Sequence, residues 1–277
     1  MNTLKNRIKN NLWKYWMFCG IHSLKDSGIS ANKIKRAIRE TVHHRISPEE
    51  KAWINRIEQI RKQFTGNPAK VTILDYGAGN PDSSRSEEEM SLGKTSATTY
   101  GEISLGSKPA LWALLLFKLI RTMQPETAVE LGTCIGISAA YQSAALQLNG
   151  KGSLITIEGS EAIAGLAKKN LESLNLQNVE ICCGTFKEVL PQVFAATSAL
   201  DYVFIDGHHD EQATVAYFEL LLPHLSPGAL LVFDDISWSN GMRRAWEKIR
   251  NHPAVSFSVD LRMLGVCRMN ERLFHLK

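Results

Sequence analysis

The residues best placed to do chemistry lie in one stretch, 200–236, LDYVFIDGHHDEQATVAYFELLLPHLSPGALLVFDDI. Two apolar runs each end in carboxylates: 202–205 stops at Asp206, and 230–233 stops at Asp234 and Asp235. If the runs are neighbouring parallel strands, the three carboxylates gather at the carboxyl edge of one sheet, where open α/β sheets bind ligands. Carboxylates held close together repel unless positive charge sits between them, which points to a divalent metal and an enzyme. His208 and His209 follow Asp206 on the loop over such a metal. A histidine titrates near neutrality and suits proton removal; the spacing leaves either one as the base.

A second set of residues sits upstream. Residues 128–136, AVELGTCIG, run from a strand through a glycine turn into a helix, with Glu130 before the turn and Gly132, Thr133 and Gly136 in it. Glycines let the backbone pass close to a ligand. The dinucleotide fingerprint G-x-G-x-x-G is not met, because position 134 is Cys, and an acid at Glu130 suits a cationic ligand better than a pyrophosphate. Glu158 ends the next strand, where a carboxylate can accept both hydroxyls of a ribose. Gly184 and Thr185 end a third, where a backbone group or the Thr185 hydroxyl can meet an adenine edge. Three such features in order at three successive strand ends describe a nucleoside site.

The elements that must position these residues alternate. Helices are expected at 110–123, 138–148, 162–174, 185–193, 211–222 and 242–251, and strands at 127–131, 153–158, 179–183, 201–206, 229–233, 255–261 and 265–269. That alternation implies βαβ units and a mostly parallel sheet. Residues 1–70 read as a helical extension, with helices near 4–18, 31–43 and 48–64; Ser47-Pro48-Glu49-Glu50 is a good start signal for the last. Residues 71–108 read as a short strand and a polar lid or linker, and 109–277 as the main domain. The run 73–79, ILDYGAG, imitates a nucleotide-binding turn, but the polar residues after it supply no helix and no acid-ended strand.

At this point the main domain resembles a class I S-adenosylmethionine-dependent methyltransferase, on ELGTCIG, Glu158 and Gly184-Thr185. The resemblance implies a Rossmann-like α/β fold: a mostly parallel seven-stranded sheet, helices on both faces and a C-terminal reversed β-hairpin. It assigns cofactor binding to Glu130, Gly132, Thr133, Gly136, Glu158, Gly184, Thr185 and Asp206. FIDGHH…VFDDI resembles the metal-dependent O-methyltransferases of the catechol and antibiotic-sugar types, which implies Mg²⁺ on Asp206, Asp234 and Asp235. Related Asp-Gly-x-His patterns favour His209 over His208 as base. The catechol type carries a lysine near its metal, whereas this loop reads GHHDEQAT, without one. The site then suits an aliphatic or sugar hydroxyl at least as well as a phenol. Asp235 has the alternative role of capping the turn before Trp238. Tyr100 and Ser104 fall in a segment that covers the site in this fold, and Trp238 is a candidate wall of the acceptor pocket.

Charge and composition bound the rest. Residues 1–70 hold 15 Lys/Arg against 5 Asp/Glu, a balance of +10, and the remainder holds 17 against 23, a balance of −6. No apolar run approaches the roughly 20 residues of a membrane span, no signal peptide is read, and five cysteines without CxxC spacing suit free thiols in the cytoplasm. The expected partner is a small-molecule hydroxyl acceptor, not nucleic acid, with a peripheral membrane contact of the basic N-terminus and a homodimer as further expectations. Two other readings stay open: a metal-independent methyltransferase that docks a macromolecule or lipid on the N-terminal arm, and a non-catalytic nucleoside-binding module.

Overall fold

The computed structural model describes residues 2–77, 79–80, 83–85 and 87–271. Ala78 of the imitation turn and residues 81, 82 and 86 of the expected lid lie outside the described residues. Three helices come first, α1 (Asn2–Ser23), α2 (Ile29–Val42) and α3 (Pro48–Phe64). Short elements follow: β1 (Lys70–Asp75), β2 (Gly79–Asn80), β3 (Ser83–Ser84), α4 (Glu87–Leu92), β4 (Lys94–Thr99) and α5 (Tyr100–Leu105). The alternating region holds α6 (Ala110–Met123), β5 (Thr127–Leu131), α7 (Ile137–Asn149), β6 (Ser153–Glu158), α8 (Glu161–Ser173), β7 (Val179–Cys183) and α9 (Phe186–Ala196). It continues through β8 (Leu200–Ile205), α10 (Glu211–Leu221), β9 (Leu225–Phe233), α11 (Asn240–Arg250), β10 (Val255–Asp260) and β11 (Gly265–Met269).

Seven strands form one sheet in the order β10-β11-β9-β8-β5-β6-β7. The strands from β5 to β9 run parallel, and β11 runs antiparallel to both β9 and β10. This is the expected sheet, closed by a reversed hairpin. The chain leaves β5 for β6 and β7 on one side, then returns to place β8 and β9 on the other, so the order reverses between β5 and β8. Residues 202–205 and 229–233 are buried throughout, as strands covered on both faces must be. The expected start of β9 at residue 229 is four residues late: the strand runs through Pro227-Gly228, and its register against β8 shifts between Leu200 and Tyr202. Pro-Gly reads locally as a turn, and the irregularity is how the strand absorbs it.

The basic extension is not a free arm. Trp13, Met17, Ile34, Ile38 and Ile57 share one buried core with Trp112 and Phe117 of α6, and the Trp13 and Trp112 rings meet edge to face at 5.8 Å. Lys118 of α6 is buried between Glu50 of α3 at 2.8 Å and Glu40 of α2 at 3.0 Å. Ser47 and Glu50 form a capping box at the expected start of α3, a device that contributes about 1 kcal/mol. The outer face of α1 leaves Ile8, Leu12, Tyr15 and Phe18 exposed. Among the described residues, no helix is long and apolar enough to cross a membrane.

Candidate active site

Backbone hydrogen bonds carry the sheet one residue past each strand, so the strand ends form a stair. Gly184 N–H donates to Glu158 O (2.9 Å), Gly132 to Ile157 O (3.0 Å), Asp206 to Leu131 O (2.8 Å) and Asp234 to Ile205 O (2.9 Å). Gly132 sits where the order reverses, with φ of 102°, and a Cβ there would collide with the carbonyl oxygen of Asp206. Only glycine allows the β5 turn and the end of β8 to approach so closely.

A cavity of about 650 Å³ opens above this point, lined by Gly132, Cys134, Glu158, Gly184, Thr185 and Asp206 among others. Glu158 is held at both oxygens, Oε2 accepting from Cys134 N–H at 2.9 Å and Oε1 from Ser160 N–H at 3.0 Å. Burial raises its pKa. Thr185 caps α9, its hydroxyl accepting from Glu188 N–H. The expected cofactor residues divide here. Glu130 is fully buried beneath the turn, accepting from Gln142 Nε2 at 2.7 Å and from the Thr156 hydroxyl at 2.6 Å. It does not line the cavity: the strand alternation that turns it toward α7 turns it away from that space. Burial pushes its pKa up to about 7. Thr133, fully buried, is 2.6 Å from the Thr156 hydroxyl, and Gly136 is the left-handed N-cap of α7; both shape the turn from outside the cavity.

At one end of the cavity Asp206 meets the second carboxylate set. Asp206, Asp234 and His209 offer ligand atoms within 4.8 Å of one another, and His209 Nε2 lies 3.7 Å from Asp206 Oδ1 and 4.0 Å from Asp235 Oδ2. The two histidines separate: His208 turns toward α10, its Nδ1 3.0 Å from the Tyr217 hydroxyl and its ring edge-on to Phe186. Burial lowers the pKa of His209, so its imidazole is neutral at neutral pH.

The sequence reading found no lysine in the loop, and the structure supplies one from elsewhere. Lys108, just before α6, is buried with Nζ paired to Oδ2 of Asp234 and 3.2 Å from Oδ2 of Asp206. Burial opposes its charge, but Asp206, Asp234 and Asp235 outweigh that and hold the amine above its ordinary value. Burial likewise opposes ionisation of Asp234, and Lys108 overcomes it and keeps that carboxyl below the usual range. Asp206, part-buried, is raised by desolvation and by the Asp234 charge. Asp235 is raised to about 7 by burial and by Asp234. One lysine thus faces three carboxyl groups, two of which resist ionisation where they stand. Asp234 Oδ1 is also buried with no hydrogen-bond partner. An orphaned acceptor among carboxylates and an imidazole fits a divalent cation.

The remaining expectations concern cover. Trp238 is exposed on the turn after Asp235, its N–H donating to Asp235 O at 2.9 Å; it does not line the cavity. Trp246 is buried in the core. Tyr100 packs on Phe64 at 5.4 Å and Ser104 is buried, so neither reaches the cavity, whereas Gly106 does. The cover comes from the imitation turn: β1 pairs antiparallel with β4, and Ile73, Leu74, Asp75, Tyr76 and Met90 line the cavity. The Tyr76 ring lies where any Cβ on Gly159 would clash, at 2.6 Å. The apolar Ile73-Leu74 pair beside an aromatic was the available signal.

Comparison with known proteins agrees with this geometry. A family described as a methyltransferase domain matches residues 129–236. An O-methyltransferase from Bacillus cereus, solved in complex with SAH, is 26% identical and superposes with a TM-score of 0.51, covering 60% of this chain and 83% of its own. TomG, an O-methyltransferase from Streptomyces achromogenes solved with SAM, shares the fold at 24% identity and a TM-score of 0.52, with 59% and 82% covered. Protein-L-isoaspartate O-methyltransferase of Thermotoga maritima is 30% identical over 110 residues, 40% of this chain. The chain spans only 32% of that relative's length. These findings bear out the resemblance to the class I S-adenosylmethionine-dependent methyltransferases, and with it the fold and the reading of the chain as an enzyme.

Proposed function

We propose that this chain transfers the methyl group of S-adenosylmethionine to a hydroxyl oxygen of a small molecule, with the help of a divalent ion, Mg²⁺. The observation that carries the reading is the double membership of Asp206. It lines the nucleoside cavity, as His209 does, and belongs to the carboxylate cluster with Asp234 and His209, so the two reactants would meet at that shared edge. The Bacillus cereus relative, an O-methyltransferase solved in complex with SAH, supports both the cofactor and oxygen as the acceptor.

In this reading Glu158 accepts the ribose hydroxyls, Gly132 gives the methionine portion its close approach, and Gly184 with Thr185 faces the adenine. Asp206, Asp234 and Asp235 would hold the ion, which when bound lowers the pKa of an acceptor hydroxyl and orients it. His209, neutral and at the rim of the cluster, takes the proton that the hydroxyl gives up. Much of the rate gain is the holding of two reactants in line. Calorimetry tests the cofactor assignment: S-adenosylhomocysteine binds the wild type, and Glu158→Ala weakens binding by at least about tenfold, the cost of a lost charge-assisted pair. Unchanged affinity in the folded variant contradicts the assignment.

A further inference from the structure

We propose that Lys108 is the resident counter-cation of the carboxylate cluster and sets how tightly a divalent ion binds there, an inference that rests on the ion reading above. Lys108 does not belong to the strands that carry the carboxylates. It is delivered from the helical side of the molecule, and its backbone is tied there. Its carbonyl accepts from Arg61 Nη2 of α3 at 2.8 Å. Arg61 Nε is in turn held by both oxygens of Glu58, at 3.1 and 2.9 Å, and Glu58 Oε1 accepts from the Tyr141 hydroxyl at 2.9 Å. The side chain is buried, and Nζ lies 5.8 Å from the centre of the Phe204 ring.

The ammonium uses Oδ2 of both Asp206 and Asp234. That leaves Asp234 Oδ1 without a partner and Asp206 Oδ1 facing His209. A fixed positive charge on the same two carboxylates repels a dication and takes two of the oxygens it would use, so lysine and ion compete. The competition has a purpose. With neither ion nor lysine, buried Asp234 and part-buried Asp206 would stand unpaired, a costly state; with the lysine in place the cluster is tolerable while empty and the ion remains exchangeable. Lys108 is thus a positioning residue that acts through Asp206 and Asp234.

The test uses Mn²⁺ as the probe and reads the free ion by electron paramagnetic resonance, on the full chain. Lys108→Gln and Lys108→Met, two neutral variants, should bind Mn²⁺ at least about tenfold tighter than wild type, because each removes a like charge within a few ångströms of the ion. Lys108→Arg, which keeps the charge, should stay near wild type, and Asp234→Asn should lose binding. Affinity unchanged or weakened in the neutral variants overturns the proposal. If the wild type binds and the neutral variants merely match it, the lysine inference fails and the ion reading stands. No Mn²⁺ binding by the wild type sinks the ion reading, and with it the inference that rests on it. Should both neutral variants be unfolded alone, recovery of circular dichroism on adding Mn²⁺ supports the proposal, and no recovery overturns it.

Discussion

At the scale of the residue, burial decides roles that type alone leaves open. Glu130 and Glu158 are both acids at strand ends, yet Glu158 faces the cavity and Glu130 is sealed beneath it. Because burial raises the Glu130 pKa from 4.5 to about 7, the folded chain binds its proton more tightly than the unfolded one. The associated stability is fully present below pH 4.5 and is lost as pH rises to 7, by up to about 3 kcal/mol. Glu130→Gln removes that slope: melting temperature measured against pH should show the variant gaining on wild type between pH 5 and 8. Parallel curves for the two proteins would refute a raised Glu130. The strand period shows that neighbours point to opposite faces, but not which face a ligand uses, and for that reason the sequence assigned both acids to the cofactor.

At the scale of the element, the parts fixed by local pattern were legible. The bounds of α6, β5, β6, β7 and β11 agree with their sequence patterns residue for residue, because apolar runs and periodic faces lie within each segment. The hairpin of β1 and β4 was not legible as a hairpin. Its pairing joins residues as far apart as Lys70 and Thr99, its strands are largely polar, and the segment between them reads as a loop. Lys108 was missed for the same reason: it approaches Asp206 and Asp234 across about a hundred residues or more of chain, a distance that no spacing rule spans. The hairpin should behave as a cover. Tyr76 closes over Gly159, so S-adenosylhomocysteine should protect the 70–99 segment from limited proteolysis. Tyr76→Ala should lose that protection and release the ligand at least about tenfold faster, as weakening of a gating contact does. Equal cleavage with and without ligand in the wild type would show that the hairpin does not cover the site.

At the scale of the whole molecule, the helical extension and the sheet act together. Residues 1–70 carry the excess of positive charge, which alone suggests a docking arm. Packing gives them a different part: α1 and α2 complete the core over α6, and α3 holds the segment that delivers Lys108. The strands bring the proposed cofactor residues and the carboxylates to one edge, and the extension, through Arg61, holds the segment that brings Lys108 to the same edge. The central claim is that these parts serve methyl transfer to oxygen at a cation-assisted site. The most direct measurement is formation of S-adenosylhomocysteine from S-adenosylmethionine over a fractionated metabolite extract, with Mg²⁺ and with EDTA, for wild type and Asp206→Asn. The account predicts an O-methylated product whose formation needs Mg²⁺ and falls at least about a hundredfold in Asp206→Asn. Turnover unaffected by both EDTA and Asp206→Asn would contradict it.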